Sequence, residues 1–149
     1  MEAVIFAGIQ ASGKSTFYLE RFFQTHVRIS LDMLRTRHRE RLLVQACVEA
    51  KQPFVVDNTN VLRAERARYI EAARAGRFHV VGYYFVPEVR RALQWNSQRS
   101  GHRAIPIQGV LGTYKRLEPP RREEGFDALC AVHIDAAGEF VVREWMEGS

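Results

Sequence analysis

The sequence is poor in cysteine and has no long hydrophobic run. Its two cysteines, Cys47 and Cys130, are too few and too far apart for a disulfide framework or a zinc cluster. Each has apolar neighbours, which favours buried, reduced thiols. No apolar run approaches the roughly 18 residues that cross a bilayer, and the first ten residues lack the basic start of a signal peptide. We therefore expect a cytoplasmic protein with no membrane partner.

Lysine is also scarce. Only Lys14, Lys51 and Lys115 are lysines among 22 basic residues, and the formal net charge is +5. Arginine suits planar recognition of phosphates and stacking on bases. The charge is therefore compatible with a polyanionic partner, although alone it decides little. No obligate protein partner is evident.

Short apolar runs alternate with helical patterns along the chain. The runs predict buried strands at 3–8, 27–30, 53–57 and 78–86. Helical spacing predicts helices at 13–24, 31–51, 61–75, 87–99 and 107–117, and two further strands follow near 128–135 and 139–145. This order implies an α/β fold with a mostly parallel central sheet flanked by helices. We expect one domain over residues 1–149, without linker or repeat.

The stretch GIQASGKS at residues 8–15 fits the pattern G-x-x-x-x-G-K-[ST] between a predicted strand and a predicted helix. Glycines let backbone N–H groups converge on phosphate oxygens, and the helix start adds its positive end. Lys14 is expected to reach the outer phosphates of ATP, and the Ser15 hydroxyl to ligate Mg²⁺. The predicted nucleotide-binding residues are Gly8, Ala11, Ser12, Gly13, Lys14, Ser15 and Thr16.

A phosphate loop is compatible with a GTP switch, an ATPase or a kinase. The guanine-reading segment N-K-x-D is absent, which argues against a GTPase. The interruption SGHRAIP suits a mobile lid over about residues 88–117 that excludes water and brings positive charge to the transferring phosphoryl group. Arg99 and Arg103 flank its Ser–Gly pair, although either arginine taken singly could be a solvated loop residue. These features favour a kinase.

Two polar segments follow predicted strands. In SLDMLR, Asp32 and Arg35 lie three apart at a helix start, where a carboxylate can accept a proton from a hydroxyl and an arginine can hold an anion. The alternative is an acidic first turn capped by Ser30. In VVDNTN, Asp57 ends a strand beside the expected loop position, where a carboxylate meets the metal or its water, and Asn58 follows it. The alternative there is a turn that caps the next helix.

Taken in order, these segments resemble the P-loop polynucleotide 5′-hydroxyl kinases of phage and animal nucleic-acid repair enzymes. The matching features are GIQASGKST, D-x-x-R, VVDNTN, R-x-x-x-R-x-I-P and EPP…EGFD. The resemblance implies a P-loop kinase fold that transfers the γ-phosphate of ATP to the 5′-hydroxyl of a DNA or RNA end. The sequence departs from the family in having Val61 where a proline is common, and it has no D-x-D-x-T phosphatase motif.

The resemblance also implies residue roles. Asp32 would be the general base, and Arg35 would grip the phosphate that flanks the acceptor nucleoside. Arg99, with Arg103, would stabilise the transferring phosphoryl group, and an extra residue in the lid leaves open which of the two makes the contact. Asp57 and Asn58 would organise the floor of the site.

Two alternatives to a polynucleotide kinase remain. The first is a P-loop kinase of a small hydroxylated metabolite or antibiotic, which would also use Asp32 as its base. The second is a non-catalytic ATP-binding module, which gives no purpose to Asp32 or to the lid arginines. The basic run RTRHRER at residues 35–41 could track a nucleic-acid backbone, or it could be a solvated helix face.

Overall fold

The structure is a computed structural model that describes residues 1–98 and 106–146. Its strands are β1 (Glu2–Ala7), β2 (Val27–Ile29), β3 (Phe54–Val56), β4 (His79–Phe85), β5 (Ala128–Ile134) and β6 (Phe140–Glu144). They form one sheet in the order β2-β3-β1-β4-β5-β6, in which only β6 runs antiparallel to its neighbour. The predicted α/β fold with a mostly parallel sheet is confirmed.

Helices connect the strands. They are α1 (Lys14–Arg21), α2 (Leu31–Leu34), α3 (Arg37–Ala50), α4 (Arg63–Ala75), α5 (Val89–Ser97) and α6 (Ile107–Arg116), with a short 3-10 helix at Arg122–Glu124. None of the helices within the described ranges is long and apolar enough to cross a membrane.

The core lies on both faces of the sheet, as the sequence of β1 dictates. Successive strand residues point to opposite faces, so Ala3 and Ile5 join the cluster beneath α3 and α4, whereas Val4 and Phe6 join the cluster beneath α1. Because both faces are covered, β1 is an unbroken apolar run rather than an alternating one. This arrangement fixes the carboxyl end of β1, from which the phosphate loop begins.

The predicted long helix over 31–51 is wrong. It divides at Arg35, which has φ 74° and ψ −33° and ends α2. Thr36 then begins α3, because its hydroxyl accepts a hydrogen bond of 3.1 Å from the Arg39 amide. Asp32 and Arg35 therefore do not share one continuous helix.

Both cysteines are free thiols, as expected, but only Cys47 is buried, and Cys130 is half-buried. Cys47 packs in the core beneath α3, and burial raises the pKa of its thiol. Burial, followed by the charge of Glu144, also raises the pKa of Cys130. Raised pKa values favour the protonated form of both thiols over the reactive thiolate.

Candidate functional site

A cleft of about 500 Å³ lies at the carboxyl edge of the sheet, where ligands bind in open α/β folds. Its described lining residues are Gln10, Ala11, Ser12, Gly13, Lys14, Ser15, Thr16, Arg28, Leu31, Asp32, Asp57, Asn58, Thr59 and Trp95. The fold thus brings the phosphate loop, Asp32 and the start of the DNTN tetrad (residues 57–60) together. A larger groove of about 740 Å³ between α3 and α4 contains none of the predicted site residues.

The phosphate loop requires glycine at positions 8 and 13, the two glycines of its pattern. A Cβ atom on Gly8 would lie 2.8 Å from the Phe85 Cβ atom, which is closer than packed atoms approach. Gly13 has φ 90° and occupies the position before α1, a conformation that favours glycine. The amide groups at the start of α1 consequently face the cleft as a potential anion site.

Lys14 lies at the base of the loop and is only 9% exposed. Its Nζ atom donates hydrogen bonds to the carbonyl oxygens of Gly8 and Ile9, at 3.1 and 2.6 Å, and to the Ser12 hydroxyl at 3.3 Å. These bonds hold a buried ammonium group beside the loop backbone, where phosphate oxygens would gather.

Ser15, Asp57 and Arg28 form a cluster on the floor of the cleft. The Ser15 hydroxyl donates to Asp57 Oδ2 at 3.1 Å. Arg28 donates from Nε to the same carboxylate oxygen at 2.8 Å and from Nη2 to the Ser15 oxygen at 3.1 Å. Asp57 is buried, so the arginine supplies the positive charge that a buried carboxylate requires.

Hydrogen bonds connect the DNTN tetrad to α2, to the phosphate loop and to β1. Asn58 Oδ1 accepts from the Leu31 amide at 2.9 Å, and the Thr59 carbonyl accepts from the Gly8 amide at 2.8 Å. Asn60 Nδ2 donates to the Phe6 carbonyl at 2.9 Å. None of the four residues caps α4, which begins after Leu62, so the capping alternative for this segment is wrong.

Asp32 is exposed within the cleft lining, and it has no hydrogen-bond or ion-pair partner among the described residues. Ser30 does not cap α2, because its buried hydroxyl oxygen has no partner in the described part of the chain. Asn58 supplies the cap instead. The Ser30 cap is therefore wrong, whereas Asp32 does lie in the first turn of α2, and it is among the described residues that line the cleft.

Arg35 is exposed and is not one of the described residues that line the cleft. Its ψ of −33° at positive φ lies outside the small left-handed region that non-glycine residues tolerate. Such a conformation costs about 1–3 kcal/mol and is found mainly where function requires it. Arg99 and Arg103 lie outside the described residues, and the roles of all three arginines stay predictions.

Arg35→Gly is expected to be about 1 kcal/mol more stable than Arg35→Ala, because only glycine escapes the Cβ clash of the left-handed backbone. Both variants lose the same guanidinium group, so the comparison isolates the backbone. Urea unfolding of the two proteins measures the difference. Equal stability, or a more stable alanine variant, would show that the backbone at this position is unstrained.

The sequence-based reasoning missed two residues. Arg28 carries one of the two positive charges in the described cleft lining, and its only local signal is a charged residue in a short strand. Glu40 is 2% exposed, and its Oε2 atom accepts a hydrogen bond of 2.8 Å from Asn58 Nδ2. Its only signal is a single acid within the basic run RTRHRER.

The residues present fit a nucleotide with Mg²⁺. A serine hydroxyl and a carboxylate oxygen 3.1 Å apart are hard oxygen donors of the kind that Mg²⁺ takes together with phosphates and waters. In the described ranges no cluster of three or more His, Cys, Asp or Glu side chains forms a separate metal site. Ser15 is thus the candidate metal ligand, with Asp57 beside it.

Solved structures share this architecture. Kti12 of Chaetomium thermophilum, in complex with ADP-AlF3, matches with a TM-score of 0.68 and 18% identity over 91% of this chain and 92% of that one. A gluconokinase from Sinorhizobium meliloti gives 0.61 and 21% over 88% and 81%. A sugar kinase from a Janibacter species gives 0.62 and 16% over 88% and 85%. At these identities the likeness establishes the fold, which is that of a P-loop kinase, and not the substrate.

A family model described as an AAA domain matches residues 33–120. The match begins after the phosphate loop, so it does not depend on a motif that many unrelated proteins share. The expectation of a kinase-like nucleotide-binding domain is confirmed in this coarser form, while a polynucleotide acceptor stays a prediction. Because the match covers more than half of the chain, the protein belongs to the AAA domain family.

Proposed function

We propose that the protein is an ATP-dependent phosphotransferase that moves the γ-phosphoryl group of ATP to a hydroxyl group of a small hydroxylated molecule. One observation carries the proposal. The exposed carboxylate of Asp32, which has no partner among the described residues, shares a single cleft with the phosphate loop and the Ser15–Asp57 pair. A nucleotide-binding site alone gives no use for a free carboxylate at this place.

The phosphate end of the cleft would neutralise charge. Backbone N–H groups of the loop and the ammonium group of Lys14 would bind the phosphate oxygens. Ser15 would ligate Mg²⁺, with Asp57 holding it or its water. A bound Mg²⁺ would supply positive charge that offsets the negative charge developing on the transferring phosphoryl group.

The acceptor end would supply the base. Asp32 would accept the proton of the acceptor's hydroxyl group. The oxygen of that hydroxyl would bond to the γ-phosphorus while the bond between the γ-phosphorus and the bridging oxygen of the β-phosphate breaks. ADP and a phosphate monoester are then the products, and the carboxyl group returns its proton to water. Most of the rate enhancement in such reactions comes from positioning and charge neutralisation.

The acceptor class follows from the lining of the cleft. Its described positive charges are those of Lys14 and Arg28, and both already bind groups of the protein at the phosphate end. The remaining lining around Asp32 is neutral or polar, including Thr59 and Trp95. A neutral, hydroxylated acceptor suits such a surface better than a polyanion. The names of two structural neighbours, a gluconokinase and a sugar kinase, agree with a small hydroxylated acceptor.

The 5′-hydroxyl of a DNA or RNA end is the second candidate acceptor. The segment that follows α2 carries four exposed arginines within seven residues, namely Arg35, Arg37, Arg39 and Arg41. Such a cluster beside Asp32 could bind the phosphates of a strand. The D-x-x-R, DNTN and lid motifs support the same candidate, and a role in nucleic-acid repair would follow from it.

The test is transfer of radiolabelled γ-phosphate from ATP, with Mg²⁺, to a panel of acceptors. The panel contains sugars, sugar acids, nucleosides and aminoglycosides, together with DNA and RNA oligonucleotides that bear a 5′-hydroxyl. The same oligonucleotides with a 5′-phosphate are the matched controls, because they lack only the acceptor group.

We expect label in a small hydroxylated molecule and none in the oligonucleotides. Labelling of the 5′-hydroxyl oligonucleotides alone would replace the small acceptor with the second candidate and leave the chemistry intact. Tight ATP binding without label in any acceptor would overturn the phosphotransferase and favour a non-catalytic ATP-binding module.

Arg28→Met is expected to change the response to Mg²⁺. Without its arginine, buried Asp57 loses a charged partner, so the nucleotide-free variant should be about 1–3 kcal/mol less stable than the wild type. Added Mg²⁺ should then raise the melting temperature of the variant more than that of the wild type, because the cation no longer competes with Arg28 for Asp57 and Ser15. Thermal unfolding with Mg²⁺ and with a chelator measures both effects.

Arg68→Met is the control for Arg28→Met, since it removes the same charge from an exposed position on α4. Its stability and its response to Mg²⁺ should match the wild type. An equal rise in melting temperature for all three proteins would show that Arg28 does not compete with the metal.

A further inference from the structure

Glu40 is a buried acid near the start of α3 that the proposed reaction does not use. It is 2% exposed. Its Oε1 atom accepts hydrogen bonds from the Tyr69 hydroxyl at 2.8 Å and from Arg37 Nη1 at 3.0 Å. Its Oε2 atom accepts one from Asn58 Nδ2 at 2.8 Å. Because both of its oxygens accept hydrogen bonds from the protein, this carboxylate belongs to a buried hydrogen-bond network and is not a solvated surface charge.

The Tyr69 phenol in this network stays protonated. Burial, followed by the charge of Glu40 and the hydrogen bond to it, raises the pKa of Tyr69 to about 12. The phenol therefore remains a hydrogen-bond donor throughout the physiological range. Arg37 also donates to the Tyr69 oxygen at 2.9 Å, and both residues line the groove between α3 and α4 rather than the cleft.

Asn58 connects this network to the cleft. Its amide nitrogen donates to Glu40 at 2.8 Å and to the Tyr69 hydroxyl oxygen at 3.3 Å, and its amide oxygen accepts from the Leu31 amide at 2.9 Å. Leu31 is the first residue of α2, a helix of only four residues, and Asp32 is the second. Because Ser30 does not cap α2, the Asn58 oxygen is the side-chain group that holds its first turn.

We propose that Glu40 is a positioning residue: it fixes the orientation of the Asn58 amide, and through it the turn that places the Asp32 carboxylate in the cleft. The inference rests on the proposed function, since it assigns a task to the base of that reaction. The structural part of the inference is that Glu40 holds the first turn of α2 through Asn58. That part can be tested without a phosphate acceptor.

The argument depends on the polarity of a carboxylate. An ionised carboxylate can only accept hydrogen bonds. Asn58 must therefore turn its NH₂ group to Glu40, which leaves its oxygen for the Leu31 amide. A glutamine at position 40 has an NH₂ group in place of one carboxylate oxygen. If that NH₂ group faces Asn58, the Asn58 amide turns over and its oxygen no longer accepts from the Leu31 amide. If it faces Arg37, the Arg37 guanidinium loses its acceptor.

A reciprocal exchange of the two side chains tests this polarity. Asn58→Asp places two acceptors face to face, and Glu40→Gln places a new NH₂ donor against either the Asn58 amide or Arg37. In the double variant the new glutamine NH₂ faces the new aspartate, whose other oxygen still accepts from Leu31. The net charge of the pair is the same as in the wild type.

We expect each single variant to lower kcat by about 10- to 100-fold, because misplacing a reacting group by about 1 Å has effects of this size. The KM for ATP should stay within about 3-fold of the wild type, since the phosphate loop is untouched. The double variant should recover most of kcat. Val44→Ala is the control, because it removes buried methyl groups from the same helix without removing a hydrogen bond.

Amide hydrogen exchange keeps the inference separate from the proposed function. Exchange at residues 31–34 should be faster in Glu40→Gln than in Val44→Ala at matched global stability, and slow again in the double variant. If the wild type phosphorylates no acceptor but this pattern is found, the proposed function fails and the control of α2 stands. If exchange at 31–34 follows global stability alone, or the double variant recovers neither kcat nor protection, the inference is overturned.

Discussion

Asp32→Asn is expected to lower the kcat of phosphate transfer by about 10²- to 10⁴-fold, which is the usual contribution of a general base. The amide keeps the size and polarity of the side chain but cannot accept the proton of the attacking hydroxyl. Asp32 is exposed and has no partner among the described residues, so the unfolding free energy should change by no more than about 0.5 kcal/mol. Steady-state kinetics and urea unfolding of the same preparations measure the two quantities.

Glu71→Gln is the matched control for Asp32→Asn. It removes one carboxylate from an exposed position on α4, outside the cleft lining. Its kcat should equal that of the wild type, and both variants should bind ADP with wild-type affinity. A kcat for Asp32→Asn within about 3-fold of the wild type would contradict the assignment of Asp32 as the base, because a base contributes at least about 10²-fold.

Arg66→Leu is expected to cost about 3–5 kcal/mol of unfolding free energy, the loss observed when a buried ion pair keeps only one partner. Arg66 and Glu124 are 0% and 2% exposed at their side chains. Two parallel hydrogen bonds of 2.8 and 2.9 Å join them, and Arg66 Nη1 also donates to the Asn60 carbonyl at 2.9 Å. Since many domains have only about 5–15 kcal/mol in total, urea unfolding will show this loss clearly.

The neighbouring pair of Arg63 and Glu123 is the control for Arg66→Leu. Its atoms lie 3.1 Å apart, but its side chains are 49% and 55% exposed. Arg63→Leu should therefore cost no more than about 1 kcal/mol. The double variant Arg66→Leu/Glu124→Leu should recover much of the stability, because it leaves no unpaired buried charge. Equal losses for Arg66→Leu and Arg63→Leu would show that burial does not set the strength of the inner pair.

The parallel sheet could be predicted because its central strands carry their own signal. β1 and β3 are buried on both faces, so they appear in the sequence as unbroken apolar runs between helical patterns. The division between α2 and α3 could not be predicted in the same way. Arginine does not favour positive φ, and Thr36 alone is a weak sign of a new helix. The local sequence around Arg35 therefore does not mark it as the end of α2.

In the candidate site, too, some residues are placed by a local sequence pattern and others by contacts between distant parts of the chain. The phosphate loop is a local pattern, and the pattern is sufficient to place Lys14 and Ser15. Arg28 and Glu40 acquire their places through contacts with Asp57 and Asn58, which lie 29 and 18 positions further along the chain. No periodicity or spacing encodes such contacts, because they depend on the order in which β2, β3 and β1 lie in the sheet.

The most direct test of the account is a single turnover of enzyme-bound ATP that is radiolabelled at the γ-phosphate, quenched with and without the acceptor found in the panel. The account predicts that the label passes to a phosphate monoester of the acceptor in the wild type, and that it stays in ATP in Asp32→Asn. Label that appears only as inorganic phosphate, at the same rate with and without acceptor, would contradict it and identify the protein as an ATPase.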